Sequence, residues 1–348
     1  MPDVPAVPKR VATRHPLRNI RAFRSALLRW FDESGTDYPW RRTTDPYAIL
    51  VSEVMLQQTT IGAVIRNRRF ERFLEKFPDL RSLAEAPESA LLRTWEGLGY
   101  YNRVRNLQET ARVILKDHDG EFPADPPGLE SLPGIGRYTA GAVASFAFDY
   151  PAPIVEANIS RVLSRLFDYR EPVDAPAGRN QLWNWAEALL PTRHARTFNS
   201  AFMELGQSYC SPRSPNCLQC PVQDFCATRN PDTLPLKKTR RATVEIDEHV
   251  LFVRKRGGPV LLAREEGSRR KGLWKLPERS HDQLADFPLL ATRRYDITHH
   301  KVTMHIYRCP PSRIPPPAGT PTEQFHCSTS LQELPMPSPF RRALTDLL

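Results

Sequence analysis

Four of the six cysteines, Cys210, Cys217, Cys220 and Cys226, fall within seventeen residues in the pattern C-x6-C-x2-C-x5-C. Soft thiolates at this density bind Zn2+ or a 4Fe-4S cluster. A zinc site more often shows two C-x2-C pairs, and this stretch has one. Cys309 and Cys327 stand apart, and buried packing is the expectation for both. The first sixteen residues lack the apolar core of a secretory signal, which argues for metal or catalytic use of the thiols rather than a disulfide scaffold.

A second chemical feature is Glu53, in the run AILVSEVML from Ala48 to Leu56. Only Ser52 and Glu53 interrupt its apolar character. A carboxylate there is costly unless it is paired, protonated or lines a cleft. A structural salt bridge and a working general acid both satisfy that condition. Glu156, in PIVEANISR, stands where a helix starts, and the helix dipole favours a carboxylate there for structural reasons as well. Gly134 and Gly136 in LPGIG precede a helical stretch from Arg137. Two glycines let backbone approach a ligand closely, and the following helix offers free N–H groups to phosphate.

The elements that must position these groups are mostly helical. Ile20, Phe23, Leu27 and Trp30 recur at helical steps. Asp45-Pro46 predicts a helix start that carries Glu53. Further helices are expected near 67–76, 88–95, 103–116, 137–148, 158–167, 179–190 and 197–207. After Cys226, ATRNPDTLPLKKTRR reads as a linker. Strand patterns follow at Thr243–Arg254, Val260–Arg264, Tyr295–Thr298 and Val302–Tyr307, which predicts a small β-rich domain. The 348 residues suit two or three domains. The 49 basic against 39 acidic residues favour a polyanionic partner, and no apolar run is long enough to span a membrane.

The cysteine spacing, preceded by AFMELGQSYC, resembles the iron–sulfur loop of the endonuclease III and MutY families of DNA glycosylases. LPGIGRYTAGAV resembles their helix–hairpin–helix, and SEVMLQQT resembles the MutY active-site helix. GLWKLPE, residues 272–278, resembles a segment of the MutY C-terminal domain. The resemblance covers roughly residues 20–310. It implies a mostly α helix-hairpin-helix DNA glycosylase fold with an iron-sulfur loop, plus a small C-terminal α+β Nudix-like domain. The domains expected are a mobile basic arm at 1–19 and a helical catalytic domain at 20–226, with its helix–hairpin–helix at 131–148. A linker at 227–242 and a lesion-recognition domain at 243–348 complete them. The Nudix hydrolase signature is absent, so pyrophosphohydrolase activity is not expected.

The resemblance further implies a 4Fe-4S cluster on Cys210, Cys217, Cys220 and Cys226. It implies a base-excision repair glycosylase that removes adenine mispaired with 8-oxoguanine or guanine. Glu53 matches the general acid/base. Glu156 matches the Asp that stabilises the oxocarbenium-like sugar, and is one methylene longer, with Ala157 where Gly is usual. Asn158 matches the family and is expected to hold the neighbouring carboxylate or this helix start. Tyr138 matches the position where the endonuclease III branch carries its Schiff-base Lys, which implies a monofunctional enzyme. Trp40, Arg41 and Glu204 match residues around the flipped base, Gln57 and Tyr100 match residues inserted into the duplex, and Gly134 and Gly136 match the phosphate hairpin. Thr298 and His299 fall where the family reads 8-oxoguanine, with Ile297 in place of its aromatic. Arg213, inside the cysteine loop, is expected to face phosphate. The partner implied is double-stranded DNA containing adenine mispairs, bound by a monomer in the cytoplasm, at the nucleoid in a bacterium. Two rivals stay open: a thymine or pyrimidine mismatch glycosylase on the same scaffold, and a non-catalytic iron–sulfur redox sensor that binds DNA.

Overall fold

The computed structural model describes residues 17–239, 242–267, 270–297, 299–317, 319 and 321–348. Most of the basic arm and Thr298 therefore lie outside the described residues. The helices are α1 Ile20–Ser34, α2 Pro46–Leu56, α3 Ile61–Ile65, α4 Arg69–Lys76, α5 Leu80–Ala84, α6 Glu88–Thr94 and α7 Asn102–Asp117. They continue as α8 Pro126–Glu130, α9 Arg137–Phe148, α10 Ala157–Leu166, α11 Pro176–Leu189 and α12 Ala195–Ser208. The expected helices all form, and among α1–α12 the additions are α3, α5 and α8. Each addition is five residues long, too short for periodicity to register. Their caps are local: Asp125 Oδ1 accepts from Gly128 N–H at 2.8 Å, with Pro126 in the first turn.

The chain divides into two compact units. The first comprises Met1–Leu50, Phe122–Ser131 and Ile135–Thr239. Its core joins Phe23 and Leu27 of α1 to Ile159 and Leu163 of α10 and to Phe198 and Phe202 of α12. The Phe23 and Phe202 rings meet edge to face at 6.2 Å. Small residues let α9 sit close to its surroundings: a Cβ on Gly141 would lie 2.6 Å from the Pro153 carbonyl oxygen. The stretch read as a linker begins docked to this unit. Ala227 N–H donates to the Leu166 carbonyl, Val173 N–H donates to that of Leu236, and Leu234 is buried.

The second unit comprises Val51–Glu121, Leu132–Gly134 and Arg240–Leu348. Its C-terminal part holds β1 Val244–Phe252, β2 Val260–Arg264, β3 Trp274–Lys275, β4 Leu289–Ile297, β5 His300–Arg308 and β6 Glu323–His326. Helices α13 His281–Leu284, α14 Ser328–Leu331 and α15 Ser338–Leu347 complete it. One sheet has the order β1-β5-β4, with β1 parallel and β4 antiparallel to β5, and the other has the order β3-β2-β6. The α+β character agrees with the strand patterns. Strands β3 and β6 are additions, at two and four residues too short to show alternation. Cys309 is buried as expected. Cys327 is a correction: it is exposed, at the start of α14, with its sulfur 3.1 Å from Thr329 Oγ1. Among the described residues no helix is long and apolar enough to cross a membrane.

Candidate active site

Helix α2 starts as its sequence predicts. Asp45 accepts from the N–H groups of Tyr47 at 3.1 Å and Ala48 at 3.2 Å, and Pro46 follows in the first position. Glu53, two turns on, is 5% exposed, on a helix whose Ile49, Leu50, Val51 and Met55 are also buried. Arg103 holds the far end of the helix. Its Nη1 donates to the carbonyls of Val54 at 2.7 Å, Met55 at 3.2 Å and Gln57. Its Nη2 donates to those of Leu98 at 2.9 Å and Gly99 at 3.1 Å. One guanidinium thus satisfies carbonyls left open at the helix end and ties them to the GLGYY turn. Burial pulls its pKa down to about 10.

That turn is sharply bent. Gly97 and Gly99 have φ of +88° and +69°, and Tyr100 has φ of +47°. A tyrosine in the left-handed region costs roughly 1–2 kcal/mol, and here the side chain stands 47% exposed. Arg103 therefore brings Gln57 and Tyr100, the two residues matched to duplex insertion, onto one support. Nothing in the GLGYYNR pattern itself marks its arginine as the fastener. Tyr100 also lines a cleft of about 490 Å3 with Asn106, Arg270, Tyr295 and Ile297. Ile297 ends β4 and pairs with His300, which starts β5. The His299 ring lies 4.0 Å from that of His300, and its carbonyl accepts from Val244 N–H at 2.9 Å.

Both glycines of the LPGIG hairpin are exposed. Gly134 has φ of +72°, and a Cβ there would lie 2.6 Å from Cβ of Asn106. Thr110 Oγ1 fixes the turn by donating to the Pro133 carbonyl at 2.7 Å. Gly136 is the N-cap of α9, and a Cβ there would meet nothing within 4 Å, which leaves the first N–H groups of the helix approachable. Tyr138 lies in the first turn of α9, half-buried against the first unit's core.

Glu156 caps α10. Its carboxylate accepts from Asn158 N–H at 2.7 Å and Ile159 N–H at 2.9 Å. Burial pushes its pKa up, and those two N–H groups work against the shift. The longer side chain is accommodated by bending back onto its own helix. Asn158 Oδ1 accepts from Arg161 Nη2 at 2.8 Å, and Arg161 also donates to the carbonyls of Gly206 and Cys210, both at 2.6 Å. This arginine links the Glu156 helix start to the first cysteine, a connection that no sequence pattern signals.

Glu204 is 2% exposed. It accepts from Thr36 N–H at 2.8 Å and Thr36 Oγ1 at 2.6 Å, and it pairs with Arg41. Burial pushes its pKa up, but these donors outweigh burial and hold it below the usual value. Arg41 also lies over the ring of Tyr38, which stacks on Trp40 at 5.1 Å. Trp40, Arg41 and Glu204 therefore form one cluster.

Cys210 follows α12, and the other three cysteines lie on a loop of short 3-10 turns, Cys217–Gln219 and Gln223–Phe225. Arg165, 1% exposed, anchors the loop. It donates to the carbonyls of Ser211 at 2.7 Å, Pro231 at 2.8 Å and Leu234 at 3.1 Å, and to Cys210 Sγ at 3.3 Å. Burial pushes the Cys220 thiol up to about 11, and the other three cysteines add to the shift, so all four lie within reach of one another. Among the described residues, no three metal-binding side chains converge as a single ion requires. A donor set of four mutually near thiols, all sulfur and with no histidine or carboxylate among them, fits the all-thiolate ligation of an iron–sulfur cluster. Arg213 is exposed on the loop.

Residues 51–188 match the HhH-GPD superfamily of base excision DNA repair proteins, and residues 210–226 match the iron–sulfur binding domain of endonuclease III. The loop takes a 4Fe-4S cluster. Adenine DNA glycosylase of Homo sapiens is 40% identical over 231 residues, which are 63% of this chain and 42% of that protein. The chain thus spans under half the length of that relative. Thymine/uracil-DNA glycosylase of Methanothermobacter thermautotrophicus is 33% identical over 60% of this chain and 93% of its own length. The structure of a thermostable thymine-DNA glycosylase superposes with a TM-score of 0.55 and 33% identity, covering 60% of this chain and 96% of that one. A helical scaffold shared with such repair enzymes, carrying a glycine hairpin and an iron–sulfur loop, places this chain in the HhH-GPD superfamily of base excision DNA repair proteins.

Proposed function

We propose that the chain removes adenine mispaired with 8-oxoguanine or guanine in double-stranded DNA, by hydrolysis of the N-glycosidic bond. The observation that carries this reading is Glu53, a buried carboxylate on an apolar helix whose end is fastened to the Tyr100 turn. Adenine leaves readily only when a ring nitrogen is protonated, and a positioned carboxyl group can supply that proton. Glu53 then assists the attacking water as base. Glu156 stabilises the developing positive charge on the sugar, with Asn158 holding its helix start. Gln57 and Tyr100 enter the duplex as the adenine leaves the stack. Trp40, Arg41 and Glu204 face the extruded base. Gly134 and Gly136 present backbone N–H groups to phosphate and carry no sequence information. The similarity to human adenine DNA glycosylase supports this choice.

Cys210, Cys217, Cys220 and Cys226 are the proposed cluster ligands, and the bound cluster supplies shape to the loop rather than chemistry to the reaction. The C-terminal α+β part is a Nudix-like lesion-recognition domain in this reading, with Thr298 and His299 at its reading turn, joined through residues 227–242 to a catalytic domain at 20–226 behind the arm at 1–19. The protein acts as a monomer in the cytoplasm, at the nucleoid in a bacterium. A second reading, thymine removal, has its own support in the similarity to thymine/uracil-DNA glycosylase along nearly that enzyme's full length.

Tyr138 makes the reaction hydrolytic, because phenol offers no amine for a Schiff base. Borohydride added during turnover is expected to trap no covalent adduct, and product strands are expected to stay intact until alkali or heat is applied. A stoichiometric trapped adduct would contradict the assignment.

A further inference from the structure

In the second unit, five arginines surround one carboxylate. A cavity of about 500 Å3 is lined by Arg69 and Arg72 of α4, Arg93 of α6, Arg341 and Arg342 of α15, and Glu96. Glu96 accepts from Arg93 Nη1 at 2.9 Å and from Arg341 at 2.8 and 3.1 Å. Arg341 also donates to the carbonyls of Leu331 and Leu334, so its guanidinium is held in place. Arg69 donates to the Glu96 carbonyl, while its Nε is buried with no hydrogen-bond partner. The chain makes room for Arg69 with Gly97, where a Cβ would collide with Arg69 Nη2.

The charges do not balance. Glu96 is already engaged by two guanidiniums, and no other carboxylate lines the cavity among the described residues. Among the described residues, Arg69, Arg72 and Arg342 form no ion pair there. Guanidiniums gathered at this density repel one another, and part of the group is out of water, where repulsion is stronger. A fixed array of forked donors matches the geometry of phosphate oxygens. We propose that this cavity is an oxyanion site for a phosphate group bearing two or more charges, separate from the LPGIG hairpin. The shared chemistry is the phosphate oxyanion, whether it comes from a free polyphosphate or from the nucleic-acid strand.

The probe is inorganic pyrophosphate, titrated calorimetrically into the full-length, iron-loaded protein and into the Arg72→Ala, Arg342→Ala double variant. Both side chains are exposed, so the variant is expected to keep the wild-type unfolding midpoint and iron content. Pyrophosphate is expected to bind the wild type and to bind the double variant at least tenfold more weakly. No binding to the wild type, or equal binding to both, would overturn the proposal. Duplex DNA then separates the sources. If the strand supplies the phosphate, pyrophosphate competes with duplex, and the double variant loses about 1.8 from the slope of log affinity against log salt. If the source is a free anion, duplex binding and its slope stay unchanged while the pyrophosphate difference persists. Neither arm requires glycosylase turnover.

Discussion

Replacing Glu53 with Gln is expected to abolish adenine release while leaving duplex binding at its wild-type strength. Gln is close to Glu in volume, so the packing of α2, with Ile49, Leu50 and Met55 buried, is retained. The Arg103 fastening is to backbone carbonyls and is untouched by the change. What is lost is a proton that can be delivered and taken back. General acid–base catalysis of this kind contributes roughly 10²–10⁴-fold, which sets the smallest fall expected under single-turnover conditions. Measured rates of base release with wild-type and variant enzyme in excess over duplex decide the matter. Substantial residual release would remove Glu53 from the acid role. Loss of duplex binding in parallel would mean that Glu53 is a structural carboxylate.

The second large effect is expected at Arg165. An Arg165→Leu change keeps apolar bulk but strands the carbonyls of Ser211, Pro231 and Leu234, and removes the donor to Cys210 Sγ. The stranded Leu234 carbonyl is buried and costs about 1–3 kcal/mol, and the part-buried carbonyls of Ser211 and Pro231 cost less each. Together they take a large share of a typical stability of about 5–15 kcal/mol. The variant is expected to purify with little iron and to unfold well below the wild type. Arg213→Ala, an exposed change on the same loop, is the control and is expected to keep both the iron and the unfolding midpoint. Full iron content with an unchanged midpoint in Arg165→Leu would show that the loop stands without its anchor.

Much of this was legible in the chain because the signals are local. The cysteine spacing marks the loop, Asp45-Pro46 marks the start of α2, and the stretch expected at 137–148 is α9 from end to end. The anchors were not legible, because their partners are distant. Arg165 reaches carbonyls 46 to 69 positions away, and Arg103 reaches 46 to 49 positions back. A backbone carbonyl carries no residue-type signature, so no pattern announces that an arginine will be needed there. Glu156 illustrates a different gap. Its type and place suggested a helix start, but only the folded chain shows the carboxylate turned onto the N–H groups of Asn158 and Ile159. The short elements α3, α5, β3 and β6 lacked the length that periodicity needs.

The central claim is that this scaffold removes adenine. It is tested most directly by single-turnover release from three duplexes: adenine opposite 8-oxoguanine, thymine opposite guanine, and an oxidised pyrimidine opposite guanine. The account predicts free adenine from the first duplex, formed together with an abasic site in an unbroken strand, and no base from the other two. Thymine or oxidised pyrimidine released in its place, or tight binding of all three duplexes with no base released from any, would contradict it.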